Sequence, residues 1–295
     1  MSNSRLHRSW RWYMPLSIPL WSRIWRDYWY ITIIAGATLF AFHWLVVTFL
    51  PLYNLRYRLN YLHNLPDIVK AMIGGDILSM TSTTAIGSFA YIHPVTLAIL
   101  AAFAVMLPSW VLVGQIDRGT IELLLSTPTS RRKVILTTIL AGIVGGILLI
   151  LSMLIGTWVG VQHTPKLPQP YQFGRIVYVA INLYAIYLVL LSISVFFSAI
   201  TSIRGIAVGW SIGLGLASYL LHFLAEWWKV VERIAFLGPL YYFRPIKIVA
   251  GEYIVSRNVS IPYDPTRDIV TLLVASAVLL IVSTIWFCRR NIAVV

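Results

Sequence analysis

The sequence predicts an all-α, polytopic membrane protein with six transmembrane helices. Three observations carry that prediction. First, 59% of the 295 residues are hydrophobic and 11% are charged, with a mean hydropathy of +0.79; a soluble domain carries about 25% charged residues, so the solvent for this chain is a bilayer. Second, six apolar runs are each long enough to cross the ~30 Å hydrocarbon layer at 1.5 Å rise per residue. Third, bases, prolines and aromatics punctuate the ends of those runs, and twelve Trp and sixteen Tyr suit the aromatic belts of a membrane interface. The net charge of +13 does not indicate nucleic acid, because the bases sit at the ends of apolar runs rather than on a soluble module. The single cysteine, Cys288, has no internal partner and says nothing about compartment.

Residues 1–28 alternate Arg5, Arg8, Arg11, Arg23 and Arg26 with Trp10, Trp12, Trp21 and Trp25. This reads either as an amphipathic segment lying in the headgroup layer or as a plain basic flank. Pro15 and Pro19 are expected to break it, and Ser22 to cap a short helix. The run is too long for a signal peptide and no small-residue cleavage site follows, so the start is expected to be retained. The first span is 29–50 and holds His43, for which snorkelling or one interhelical hydrogen bond is expected. A more polar stretch follows, with a short amphipathic helix expected after Leu65-Pro66-Asp67, and loop or a second short helix over 79–88.

The second span, 93–114, starts at His93-Pro94, where proline suits a first helical turn. Pro108 should kink or loosen its inner end. The third, 134–161, follows Thr127-Pro128, read as a cap and first helical position. Pro165, Pro168 and Pro170 make the next connection rigid and non-helical. The fourth span is 176–200, Thr201 to Arg204 make a tight turn, the fifth span is 205–223, and a long segment, 225–268, precedes the sixth, 269–287. The Lys and Arg totals of the two sides barely differ, but those of the amino tail, of residues 115–133, Arg204 and Arg289-Arg290 are packed into short segments at membrane edges. Both termini are therefore expected inside.

Residues 115–133 are the only long, charge-bearing interruption between strongly apolar runs in the first two-thirds of the chain. Ile116, Thr120, Leu123 and Thr127 recur at helical spacing and give a narrow apolar stripe for a partner's groove. Asp117 precedes the stripe and Arg131 to Lys133 follow Pro128, where their charges can set register on that partner. The alternative is a positive-inside loop with no partner, which leaves Leu123, Leu124 and Leu125 as an unexplained apolar patch in water.

Enzyme chemistry is not legible. The sequence has no phosphate-binding Gly-x-x-x-x-Gly-Lys-Ser/Thr run, no His-Glu-x-x-His run and no metal-ligand spacing, so no cofactor, metal or catalytic residue is assigned. Gly74-Gly75-Asp76 and Tyr263-Asp264 faintly resemble intramembrane aspartyl protease motifs, but both lie in polar loops and in the reverse order. Asn258-Val259-Ser260 is a chance-level glycosylation triplet. No Asp, Glu, Lys or Arg lies deep in a span, which argues against an ion-coupled carrier. Glycines are more informative: Gly205, Gly209 and Gly213 share one face of the fifth span, as do Gly142 with Gly146, and Gly156 with Gly160, in the third. Such faces serve ordinary packing within one bundle or sliding against a partner helix across a dimer axis.

The run Asp117-Arg118-Gly119-Thr120-Ile121-Glu122-Leu123-Leu124-Leu125-Ser126-Thr127-Pro128-Thr129-Ser130-Arg131 resembles the cytoplasmic loop of type-2 ABC transporter permeases: acid, base, Gly-Thr, an acidic leucine run, Ser-x-Pro, then Ser-Arg. Weaker similarity extends to Leu65-Pro66, to His93-Pro94 and to the terminal Phe-Cys-Arg-Arg-Asn. Gln115 stands where a glutamate is common, and Thr138 where a lysine is. The resemblance implies one transmembrane domain over 1–295, an elbow helix at the amino end, a coupling helix around 116–127 and short re-entrant helices within 225–255. It further implies an ATP-driven transporter, expected to export, in which two permease copies, as a homodimer or pseudo-dimer, pair with separate ABC ATP-binding subunits. The coupling contacts would be Ile116, Asp117, Arg118, Gly119, Thr120, Glu122, Leu123, Leu124, Thr127, Pro128 and Arg131. A membrane scaffold docking a soluble enzyme, or a secondary carrier, are the alternative readings.

Overall fold

The computed structural model describes residues 16–52, 82–119, 130–164, 167, 170–225, 228–250, 253–256, 259–262 and 264–290. The expected helix after Leu65-Pro66, the Gly74-Gly75-Asp76 run and residues 1–15 lie outside them.

Helix α1 is Ile18–Phe49. It runs without interruption through the boundary expected near residue 28, so residues 18–28 are its first three turns rather than a separate interfacial helix. Two local facts explain this. Pro19 sits in the first turn, where a missing N–H costs nothing. Ser22 does not cap a helix but donates back to Pro19 O at 3.0 Å from inside one. Leu20, Ile24, Tyr28, Thr32, Leu39, His43 and Val47 form its single buried stripe.

The second apolar stretch begins earlier than expected, with α2 at Thr83–Ile92 capped by Ser82, whose Oγ accepts from Ala85 N at 3.1 Å. His93 takes an extended backbone, as a residue before proline prefers, and α3 restarts at Pro94–Pro108. Pro108 has the expected effect: a π-helical turn, Ser109–Val113, follows it directly, and α4, Gly114–Asp117, resumes. Gly114 is needed there, because an added Cβ would lie 2.9 Å from Ser109 O.

Helix α5 is Arg131–His163, and its cap is Ser130, three residues past the expected Thr127. Helix α6 is Phe173–Ile200 and α7 is Arg204–Ala225. The long segment that follows supplies the expected short elements: α8 at Lys229–Glu232, 3-10 turns at Ala235–Leu237 and Pro239–Tyr242, and α9 at Pro245–Ala250. An antiparallel hairpin of β1, Tyr253–Ser256, and β2, Val259–Pro262, with Tyr253 opposite Pro262, is the one non-helical element among the described residues. Helix α10, Pro265–Arg289, is capped by Asp264, whose Oδ1 accepts from Thr266 N at 2.9 Å.

Six helical stretches are long and apolar enough to cross a membrane. Helix α6 is the centre: 67% of its most apolar window is buried, against 17% for α7. It packs on α3, α5, α7 and α10. Its polar groups bridge to neighbouring carbonyls: Tyr187 Oη donates to Gly142 O at 2.7 Å, Ser194 Oγ to Val105 O at 3.2 Å and Asn182 Nδ2 to Tyr242 O at 3.1 Å. His43 neither snorkels nor bonds another helix. It is fully buried, its Nδ1–H donates to Leu39 O of its own helix at 2.8 Å, and its ring meets that of Tyr91 edge-on. A short side chain in a dry helix satisfies itself most cheaply on its own i−4 carbonyl.

Candidate functional site

The segment singled out in the sequence leaves and rejoins the bundle at one end, where the ends of α4, α6 and α10 meet the starts of α5 and α7. Helix α4 stops by a left-handed glycine. Gly119 has φ +68°, and its N–H donates to Ile116 O at 3.0 Å, a conformation that a side chain would strain. Asp117 and Arg118 are exposed, and Asp117 Oδ2 accepts from Arg204 N at 3.4 Å, linking α4 to the first turn of α7. Ile116 is half-buried and packs in part against the chain's own core. Thr120, Glu122, Leu123, Leu124, Thr127 and Pro128 lie outside the described residues.

Across the segment, Arg131 Nη1 donates to Arg290 O. Arg290 in turn donates to Ala199 O at 3.0 Å, to Thr201 O at 2.7 Å and to Ser202 Oγ. One arginine therefore ties the end of α10 to the turn between α6 and α7, and receives the start of α5. Partial burial lowers its pKa from the ordinary arginine value, but not far enough to discharge it in water near neutral pH. In the sequence, Arg289-Arg290 stand out only as two bases at a membrane edge; that Arg290 reaches the turn after α6 is set by the tertiary fold.

The glycine faces separate sharply. On α5, an added Cβ at Gly142 would lie 2.6 Å from Leu191, at Gly146 2.1 Å from Tyr187, at Gly156 2.3 Å from Phe40 O and at Gly160 2.8 Å from Val47. On α7, an added Cβ at Gly205, Gly209 or Gly213 would have no described atom within 4 Å. The buried residues of α7 are Ala207, Ser211 and Ser218, a narrow stripe on another side. Trp210 and Leu216 stand exposed along the helix.

Among the described residues, no group of three or more His, Cys, Asp or Glu could hold a metal ion. Charged side chains are confined to the outer turns of the six long helices, apart from Arg23, Arg26 and Asp27 near the start of α1.

No curated protein and no solved structure matches this chain. Residues 25–292, all but the two ends, match the ABC-2 family transporter proteins. With that match over most of its length and six helical stretches long and apolar enough to cross a membrane, the chain belongs to the ABC-2 transporter permease family, as an integral membrane transport subunit.

Proposed function

We propose that this chain is one of two permease copies in an ATP-driven exporter, with ATP hydrolysis on separate ABC ATP-binding subunits docked at residues 116–127. Both termini are cytoplasmic in this reading. The observation that carries it is the convergence at one end of the bundle. Asp117 is bonded to the start of α7, and Arg131 to Arg290, which holds the turn between α6 and α7. A displacement of the segment between Asp117 and Arg131 is thereby passed to α3, α5, α7 and α10 together. Energy entering there fits spans without midplane charges, which have no ion to follow. The open glycine face of α7 is where the second permease copy would seat, since small residues let helix backbones approach closely in lipid. Thr120, Glu122, Leu123, Leu124, Thr127 and Pro128 supply the partner-facing surface.

The test is co-purification. The tagged chain should bring down a phosphate-loop ATPase in equal ratio, and Leu123→Asp with Leu124→Asp should lose it while the chain still inserts in the membrane. Two buried leucines are worth about 3–6 kcal/mol at an interface, enough to lower affinity at least a hundredfold. Undiminished ATPase binding by the double variant would sink the docking assignment.

A further inference from the structure

Arg131 and Arg132 open α5, while Arg289 and Arg290 lie at the end of α10, so four arginines meet where these two helices run side by side. Two are consumed in the ties described above. The other two, Arg132 and Arg289, are exposed, and no ion pair or hydrogen bond engages either one among the described residues. They stand at the mouth of a groove of about 550 Å³ between α5 and α10, within the roughly 300–1,000 Å³ typical of ligand sites. Below them its walls are apolar: Leu136 and Ile139 from α5, Leu280, Ile281 and Ile285 from α10. Thr284 is a wall hydroxyl, and it donates to Leu280 O at 2.8 Å, so its proton is spent. From the helical rise, these walls run roughly 10–13 Å from the arginines toward the middle of the helices.

Two guanidinium groups that no described residue engages, above an apolar trough, match one kind of molecule. A guanidinium engages phosphate by paired, charge-assisted hydrogen bonds, and at headgroup depth it needs no desolvation beyond that of the interface. The trough opens sideways, and Ile281 and Ile285 are 60% and 48% exposed, so it faces lipid rather than the bundle interior. The basic mouth also disfavours the chain's own amino-terminal residues as occupant. Residues 1–15 carry Arg5, Arg8 and Arg11 and no acid.

We infer that the groove between α5 and α10 binds one anionic membrane phospholipid, its phosphate held by Arg132 and Arg289 and an acyl chain lying along Leu136, Ile139, Ile281 and Ile285. The site sits beside Arg131 and Arg290, so the lipid caps the same helix ends that the arginine ties hold together. A zwitterionic lipid offers the phosphate but adds a cation against two arginines, and is the weaker occupant.

The chain supplies its own reporter, because Cys288 is its single cysteine and lines this groove. The full-length chain, with whatever subunits accompany it, is placed in nanodiscs of phosphatidylcholine with or without phosphatidylglycerol of the same acyl chains. Alkylation of Cys288 by a neutral maleimide is then timed. Phosphatidylglycerol should slow the reaction in the native chain. It should slow it far less in the variant R132Q/R289Q, which feels the same membrane surface charge, while R132K/R289K keeps most of the protection. Native mass spectrometry gives the second readout. The R132Q/R289Q variant should lose its preference for phosphatidylglycerol by roughly 25-fold, about fivefold per arginine. Ile281→Trp, which fills the trough and leaves both arginines, should lose the retained lipid altogether. Equal retention by the native chain and R132Q/R289Q, or full retention by Ile281→Trp, overturns the assignment.

Discussion

Helices α5 and α7 carry glycines at the same spacing and meet opposite fates. On α5 every rung is occupied: Leu191 and Tyr187 of α6 cover Gly142 and Gly146, and the backbone of α1 lies against Gly156 at Phe40. On α7 no described residue covers the rungs at Gly205, Gly209 and Gly213. The local sequence signal is alike in both. What differs is position in the bundle, because α5 has helices on two sides and α7 touches its neighbours through Ala207, Ser211 and Ser218. A small-residue face in a membrane helix therefore marks close approach without saying to what.

The comparison breaks most visibly at Gly156. A methyl group there would lie 2.3 Å from Phe40 O, a backbone atom that can only move with its helix. Gly156→Ala should separate α1 from α5 and destabilise the protein by about 3 kcal/mol, the upper part of the overpacking range. Thermal unfolding of the purified chain in detergent measures it. An unchanged midpoint would mean that the α1–α5 contact is looser than its geometry.

Helix α7, lacking such interdigitation, depends on its ends. Arg290→Ala removes the donors to Ala199 O and Thr201 O, and should cost roughly 1–2 kcal/mol for charged hydrogen bonds at a half-exposed site. Hydrogen exchange should then rise in the turn at 201–203 and the first turn of α7 while the α1–α5 contact stays protected. A uniform rise across all helices would place Arg290 in global stability instead of in holding α7.

The open face is tested by filling it. Gly205→Leu with Gly209→Leu and Gly213→Leu should not lower the stability of the single chain, since no contact with a described residue is disturbed and leucine is a better helix former than glycine. Cross-linking between copies should fall sharply. Dimers that survive three added leucines would move the seat of the second copy to another helix.

These contrasts also show what the sequence carried. Its hydrophobic runs located all six spans, because a bilayer leaves little choice of secondary structure. Pro108 announced its π turn, and the family pattern at 117–131 identified the family. Ends were misread wherever a local rule had two outcomes. Pro19, a breaker by composition, is a first-turn residue; His93-Pro94, a start by pattern, is a bend between α2 and α3; and Ser130, not Thr127, caps α5. The candidate site was half legible. Asp117, Arg118 and Arg131 stood out as charges, but that Ile116 packs in part against the core and that Arg290 binds a turn nearly ninety residues away depend on tertiary packing. Neither spacing nor composition encodes which of two glycine faces its own chain will cover.

The smallest effect discriminates most finely. Alanine is a better helix former than glycine by roughly 0.8–1.0 kcal/mol in water, and nothing lies within 4 Å of Gly209 to oppose a methyl group. Gly209→Ala should therefore raise the melting temperature of the isolated chain slightly, the reverse of Gly156→Ala. If a second copy packs on this face, the same methyl group holds the two backbones apart and dimerisation weakens. Stability and association then change in opposite directions for one substitution. A gain in stability with unchanged association would leave the α7 glycines as mere absences of side chain; a loss of both would mean that α7 packs within its own chain more closely than its bare rungs allow.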